Sequence, residues 1–299
     1  MADGKDAAAR VAAVIVTHNS GHVVERCLAS LGDVEKVIVV DNASGDDTRL
    51  RVAVARPSAV FIANDTNVGF GAANNQGFSE AGDVAFVIFI NPDAALQRGA
   101  VDALIAASER YPETALVAPR LIDPGGVTET SYDAGLFERA GMPGHEGLVP
   151  GGDLCAGFLS GAVFMARTAA LRGAPPFDPN IFLFFEDDDL CMRLRAAGHS
   201  LVLAADAAAE HTPGRGSTPN RSVKWRRNWH MAWSRLYIEG KYRGRGAAVA
   251  TGIANFARFA VKCVGYALIL NGVKASRDAA RAAGTLAWLL GIRARHPLT

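Results

Sequence analysis

Short apolar runs rich in β-branched and aromatic residues recur along the first part of the chain, and they constrain its fold more than any other feature. The runs are Val11–Val16, Lys36–Val40, Val60–Ile62, Val84–Ile90 and Ala115–Ala118. Each has strand length, and most end in polar or turn residues. Between them lie helical patterns. His22–Leu31 places Val23, Val24, Cys27, Leu28 and Leu31 on one face, and Gly99–Arg110 does the same with Val101, Leu104 and Ile105. Alternating strand and helix units predict an α/β fold with a mostly parallel sheet and helices on both faces. Ligands of such sheets bind beyond the carboxyl ends of the strands, so polar residues just after a strand are the first candidates for chemistry.

The 299 residues are 49% hydrophobic, enough for one large α/β domain or a domain with an appendage, and too apolar for low-complexity disorder. Glycine has no collagen-like period. The cysteines at 27, 155, 191 and 263 form no Cys-x-x-Cys pair, which argues against a disulfide scaffold or zinc ribbon and fits a reducing compartment. No secretory signal is expected, because the first apolar run is short, follows Asp3 and Asp6, and breaks at His18-Asn19. Glycine and proline thicken from Asp123 to Gly152, including Pro143-Gly144, which predicts a long loop beside a site. A strand over Ala162–Ala166 and a helix from near Asp188 are expected after it.

Five stations at strand ends carry possible chemistry. Asp41, in Asp41-Asn42-Ala43-Ser44, could accept hydrogen bonds from a nucleobase or ribose; it could equally be a turn or cap residue. The run from Asn67 through Gly69, Gly71, Asn74 and Asn75 to Gly77 suits close approach of a phosphate or sugar to backbone, or a plain tight turn. Asn91-Pro92-Asp93 ends the most hydrophobic strand; its carboxylate could hold a divalent cation with diphosphate oxygens, or simply close a turn. Glu186-Asp187-Asp188-Asp189 follows the apolar stretch Ile181–Phe185 and is the densest signal. With a helix from Asp188, Asp189 and Arg193 would pair at i, i+4, leaving Glu186 and Asp187 in the preceding turn toward a cleft. The alternative is an acidic helix start favoured by the macrodipole. His211 precedes a basic loop containing Arg215, and a lone histidine is more often structural.

In this order, Val14-Ile-Val-Thr-His-Asn-Ser20, Asp41-Asn-Ala-Ser44, the Asn67–Gly77 motif, Asn91-Pro-Asp93, Phe185-Glu-Asp-x-Asp189 and His211 resemble the family 2 inverting glycosyltransferases, closest to the bacterial rhamnosyltransferase-like branch. The match spans roughly Val11 to Ser217. It implies a GT-A, Rossmann-like fold over residues 1–220, with a nucleotide-sugar half to about residue 95 and an acceptor half after it. It implies donor binding by Thr17, His18, Asn19, Asp41, Asn67, Gly69, Asn74 and Asn91. Mg²⁺ or Mn²⁺ would be held by Asp93, with His211 on the metal or diphosphate. Asp187 would be the catalytic base, with Glu186 beside it. The chain departs from the family pattern in having Asn91-Pro-Asp93 in place of Asp-x-Asp, His18 where an aromatic is usual, and an extra acid at Asp188.

The implied reaction is a single in-line displacement. The donor would be a nucleoside-diphosphate sugar, dTDP-rhamnose or a UDP-sugar, and the acceptor a glycan or lipid-linked glycan. Two rivals share the fold class, a sugar nucleotidyltransferase and a noncatalytic glycan- or nucleotide-sugar-binding module. The first lacks its Gly-rich, Lys-containing N-terminal signature, since Thr17-His-Asn-Ser20 stands there.

The net charge of +1 conceals a division. Up to Asn220 the chain has 16 basic and 28 acidic residues; after it come 15 basic residues and only Glu239 and Asp278. The segment 221–299 therefore reads as a helical basic region. Trp225, Trp229, Trp233 and Tyr237 form one stripe that could pack as core against the catalytic domain or form a membrane-interface belt. Ala247–Gly272 carries only Arg258 and Lys262, and each would cost about 2.5–3.5 kcal/mol at the centre of a spanning helix. With Thr251 and Asn255 they make a polar stripe better suited to lying in an interface. Lys274, Arg277 and Arg281 continue the basic character, each adding about 1 kcal/mol near an anionic surface. A cytoplasmic enzyme bound peripherally to the inner membrane face is expected, and no nucleic acid partner, since no recognised binding module accompanies the charge.

Overall fold

A computed structural model describes residues 11–138, 150–212, 214, 216 and 220–294. The Pro143-Gly144 turn, Arg215 and the acids before Val11 lie outside them. The described residues form two compact units. The first draws on Met1–Asn67, Ala72–Phe177 and Asp187–Thr218, the second on Val68–Gly71, Asp178–Glu186 and Pro219–Thr299.

The first unit is built on strands β1 (Val11–Thr17), β2 (Lys36–Asn42), β3 (Val60–Asn64), β4 (Phe86–Ile90), β5 (Ala94–Leu96), β6 (Thr114–Ile122), β8 (Leu154–Cys155), β10 (Val163–Arg167) and β11 (Ser200–His211). The order is β3-β2-β1-β4-β10-β6-β11-β5, with β8 also on β11. Strands β3, β2, β1 and β4 are mutually parallel, and all seven residues of β1 are buried, as a strand covered on both faces requires. The expected strand near Ala162 is β10. It runs antiparallel between β4 and β6, so the parallel character is interrupted beyond β4. Because β6 and β11 return to the direction of β4, the carboxyl ends of β1, β2, β4, β6 and β11 share one edge.

Helices α1 (Gly21–Ser30), α2 (Thr48–Ala55), α3 (Phe70–Ala81) and α4 (Ala100–Arg110) follow their strands as the periodicity predicts. Val24, Cys27 and Leu28 of α1 and Leu104 and Ile105 of α4 join the core. Gly77 of α3 lies so close to β1 that a Cβ would stand 2.3 Å from Val14 Cγ1, so this motif glycine serves helix–strand packing. The described part of the predicted long loop contains β7 (Tyr132–Asp133), which pairs with β9 (Phe158–Leu159).

Helix α5 spans Glu186–Ala196, starting two residues before the predicted Asp188. Phe184 and Phe185 have φ of 69° and 68°, which no α-helix accommodates, so the helix can begin only after them. Glu186 and Asp187 therefore lie in the first turn of α5 and not in a turn before it. Acids there complement the helix dipole. Asp189 pairs with Arg193 Nε at 2.8 Å, as the spacing predicts.

The second unit contains α6 (Arg221–Arg243), α7 (Arg245–Leu268) and α8 (Gly272–Leu289). The aromatic stripe is core: Trp229 and Trp233 are buried with Ala287, and Trp225, Tyr237, Trp288 and Phe182 pack around them. An interface belt is thereby overturned, because Gly284 brings α8 against the Trp229 backbone and Trp233 Nε1 donates to Ile292 O at 2.7 Å. The two acids are consumed internally. Glu239 accepts from Arg235 and Arg243, and Asp278 from Arg277.

Asp178 ties this unit together through Tyr237 Oη at 3.0 Å and Lys241 Nζ at 2.7 Å. Burial alone would raise its carboxyl, but hydrogen bonds from Lys241 and Asn180 and the lysine charge hold it below the usual range. A depressed folded-state value means stability that is present above the unfolded carboxyl range and lost as pH falls through the folded value. Asp178→Asn should therefore cost about 1 kcal/mol at pH 7. The difference in thermal midpoint from wild type should shrink as pH falls below about 4, and a difference constant down to pH 2 would contradict this account.

Candidate active site

The edge at the carboxyl ends of β1 and β2 is organised by Asp41. Register places Thr17 opposite Asp41, and Thr17 Oγ1 donates to Asp41 Oδ1 at 2.6 Å. Ser44 adds its N–H to Oδ2 at 2.9 Å and its hydroxyl to Oδ1 at 2.6 Å. Asn19, at φ 54°, donates its N–H to Ser44 Oγ and accepts from Gly45 N at 2.8 Å each. His18 Nδ1 sits 2.7 Å from Asn42 O. Asp41 thus braces the two loops and keeps little acceptor capacity for a ligand. The helix-entry role that Asp41 could have taken falls to Asp46, which accepts from Thr48 and from Gly21 N. Burial would raise the Asp46 carboxyl, but these bonds outweigh it and hold the group low.

The Asn67–Gly77 motif divides by role. Gly69 has φ 94°, and a Cβ there would lie 2.6 Å from Phe182 O, so glycine is required by the neighbouring backbone of the second unit. Asn74 is buried in α3. Asn75 clamps the Phe177 peptide, donating to its O at 2.8 Å and accepting from its N at 2.9 Å. Asn67 is half-buried at the end of the β3 loop.

Asn91-Pro92-Asp93 is a turn closed by Ala94 N donating to Asn91 O at 3.0 Å. Beneath it Cys27 Sγ points at Asn91 O; burial, with the Asp93 charge adding, pushes that thiol far up, so it acts as packing. Strand β11 pairs antiparallel with β5, setting His211 opposite Ala94 and its Nε2 3.8 Å from Asp93 Oδ1. On the other side of the ring Nδ1 meets Glu129 Oε2 at 3.1 Å. The carboxylate accepts the Nδ1–H, which leaves Nε2 to face Asp93. No sequence signal singled out Glu129; it is 82 residues from His211 and reaches it only through the sheet. A carboxylate oxygen and an imidazole nitrogen suit Mn²⁺ or Mg²⁺ if other ligands complete the shell. Among the described residues no three His, Cys, Asp or Glu side chains converge, so a bound diphosphate and water would have to supply the rest.

The four consecutive acids have different surroundings. Glu186, Asp188 and Asp189 are buried, Asp189 completely, while Asp187 is half-buried. Asp187 Oδ2 accepts from Gly161 N at 2.9 Å and Oδ1 from Asp188 N at 3.0 Å. Gly161 is a second residue the sequence reading missed: a Cβ there would crowd the Asp187 carboxylate at 3.1 Å. The next residue, Ala162, accepts from Asn91 N at 2.8 Å. One dipeptide therefore ties the Asp187 carboxylate to the turn that carries Asp93.

The model of the family described as Glycosyl transferase family 2 matches residues 12–171, more than half of the chain. The chain belongs to glycosyltransferase family 2. This decides against a sugar nucleotidyltransferase and a noncatalytic module. Its sequence is 27% identical to the N-acetylglucosaminyl-diphospho-decaprenol L-rhamnosyltransferase of Mycobacterium tuberculosis, over 77% of this chain and 88% of the relative. Its fold is similar to the mannosyltransferase PcManGT of Pyrobaculum calidifontis, solved with GDP-Man and Mn²⁺ (16% identity, TM-score 0.53, 94% of this chain and 87% of that one). It is also similar to residues 1–349 of S. aureus TarS with UDP (16% identity, TM-score 0.54, 97% and 94%). The glycosyltransferase therefore has a GT-A fold. The family match ends at residue 171, before Asp187 and His211, so the arguments for those two residues rest on geometry.

Proposed function

We propose that this glycosyltransferase inverts configuration while moving a sugar, rhamnose first among candidates, from a nucleoside diphosphate to a lipid-linked glycan at the inner face of the cell membrane. The donor would be dTDP-rhamnose, with a UDP-sugar as the second choice. The observation that carries this reading is the Gly161–Ala162 tie, which mounts the Asp187 carboxylate and the Asp93 turn on adjacent residues. Inversion needs one base on the face opposite the leaving diphosphate and no covalent enzyme intermediate. Asp187, the one partly accessible acid of its group, takes the acceptor hydroxyl proton as that oxygen bonds to the anomeric carbon and the bond to the diphosphate breaks. Glu186, buried beside it, adds negative potential where the anomeric centre becomes oxocarbenium-like. Thr17, His18 and Asn19, braced by Asp41, with Asn67 and Asn91, shape the donor side, while Gly69 and Asn74 serve packing.

Asp93 and His211 would hold Mn²⁺ or Mg²⁺, which when bound neutralises charge on the departing diphosphate. Glu129 orients the imidazole from behind. Glu129→Ala should weaken Mn²⁺ affinity about 10–100-fold, measured by Mn²⁺ paramagnetic resonance titration in the presence of dTDP, with Glu129→Gln in between. Equal affinities in all three proteins would remove Glu129 from the site.

The relative's name describes a polyprenyl diphosphate acceptor, and the basic C-terminal region supports attachment where such lipids reside. Transfer from dTDP-rhamnose to a lipid-diphosphate glycan, assayed with and without Mn²⁺, tests the whole reading. Metal-independent turnover would overturn the metal assignment, and no transfer from any dTDP- or UDP-sugar would overturn the donor class.

A further inference from the structure

Helix α7 is long and apolar enough to cross a membrane by length and composition, yet its packing gives it two unlike sides. Ala248, Gly252 and Phe259 are buried. At Gly252 a Cβ would stand 2.9 Å from Leu289 and 3.3 Å from Leu236, so α8 and α6 occupy that side. A helix so held, and carrying Arg258 and Lys262, is not placed to span alone. Its other side is an exposed apolar ridge. Ile253, Val261, Val264 and Leu268 recur at helical spacing and are all exposed. The ridge ends at the turn into α8, where Ile269 and Val273 are also exposed and Leu270 is 92% exposed. Soluble surfaces rarely carry so continuous an apolar patch without a partner.

Two observations decide what that partner is. The first is charge. Between Arg245 and Ala294 the only acid is Asp278, which is 1% exposed and paired with Arg277. The polar groups flanking the ridge are thus cationic without compensation, with Arg258, Lys262 and Lys274 all exposed. Lys274 Nζ lies 5.4 Å and Arg277 Cζ 5.8 Å from the centroid of the Tyr266 ring, a basic and aromatic collar just behind the tip. Apolar ridge, aromatic collar and basic flank are the layers of a helix lying in the boundary between headgroups and acyl chains of an anionic bilayer. The second is strain. Leu270 has φ 57°, a left-handed conformation that glycine or asparagine adopts at much lower cost. A leucine placed there in full exposure gains nothing in water and gains burial in lipid.

We propose that the outer face of α7 and the Leu268–Leu270 turn into α8 form a bilayer-inserting surface, with an anionic lipid leaflet as its occupant. The proposal rests on the peripheral attachment put forward above and identifies the segment that performs it.

The test is flotation of the full chain with phosphatidylcholine vesicles with and without 30% phosphatidylglycerol. The variants are Ile269→Ser with Leu270→Asn, and separately Lys262→Gln with Lys274→Gln. Asparagine suits the left-handed position, so the first variant should fold at least as well as wild type, checked by its thermal melt. Wild type should float with anionic vesicles, and the tip variant should bind roughly 100-fold more weakly. The charge variant should lose most of the preference for phosphatidylglycerol. Undiminished binding by the tip variant alongside loss in the charge variant would overturn insertion while sparing electrostatic attachment. No binding by wild type would overturn both. A wild-type dimer in sedimentation velocity that the tip variant converts to monomer would assign the ridge to a second copy and overturn the proposal.

Discussion

Asp187→Asn should lower kcat for glycosyl transfer by about 10²–10⁴-fold, the usual contribution of a positioned general base. The amide keeps the size of the carboxylate but has a single acceptor oxygen, so it retains the bond from Gly161 N or the one from Asp188 N and not both; a thermal midpoint within a few degrees of wild type checks that the first turn of α5 stays in place. Donor affinity, read as the shift in thermal midpoint with dTDP, should remain within about twofold of wild type, because the base acts on the acceptor proton. The neighbouring acids provide the control. Asp189 is fully buried and paired with Arg193, so Asp189→Asn should lower stability, leaving an uncompensated partly buried guanidinium. Near-normal turnover by Asp187→Asn, or an equal loss of kcat in Asp188→Asn at unchanged stability, would move the base elsewhere in the group. Gly161→Ala offers a gentler probe. Its methyl would press on the Asp187 carboxylate at 3.1 Å, so kcat should fall with little change in KM for the donor.

Asp93→Ala should reduce metal-supported transfer by about 10³-fold or more, corresponding to several kcal/mol of lost charge stabilisation. Asp93 supplies the one carboxylate on the β4 side of the proposed metal site, and His211 faces it from β11. Mn²⁺ titration in the presence of dTDP should show the affinity collapsing in Asp93→Ala and weakening less in His211→Ala, since a charged oxygen ligand contributes more to a hard cation than a neutral nitrogen. Retained Mn²⁺ affinity in Asp93→Ala would show that the cation sits elsewhere. Unchanged nucleotide binding without metal in the same variant would show that the β1–β2 loops hold the base and ribose independently of Asp93.

Much of this arrangement is legible in the linear sequence because it is local. Strand runs and helix faces follow from side-chain periods of 2 and 3.6, and turn residues at strand ends follow from backbone conformational preference. The Asp189–Arg193 pair is likewise a matter of helical spacing. Where the reading failed, longer-range contacts intervened. Helix α5 begins at Glu186, directly after the left-handed Phe184 and Phe185, whose aromatic side chains give no hint of positive φ. The Trp229–Trp233 stripe has the same periodicity whether it faces lipid or α8, and only packing against Gly284 and Ala287 decides between them. Gly161 and Glu129 are ordinary residues in the sequence, because their significance lies in what the sheet brings beside them.

By itself the sequence determined a strand–helix alternation, a set of polar strand ends in family order, and a division between an acidic body and a basic tail. Tertiary structure alone decided which of four adjacent acids is accessible, that His211 meets Asp93 with Glu129 behind it, and which apolar residues of the tail stay outside. The physical reason is the range of the interactions. Backbone preference and side-chain period act over a few residues, whereas the pairing of β11 with β5 and the packing of α7 on α8 join segments that no local pattern connects.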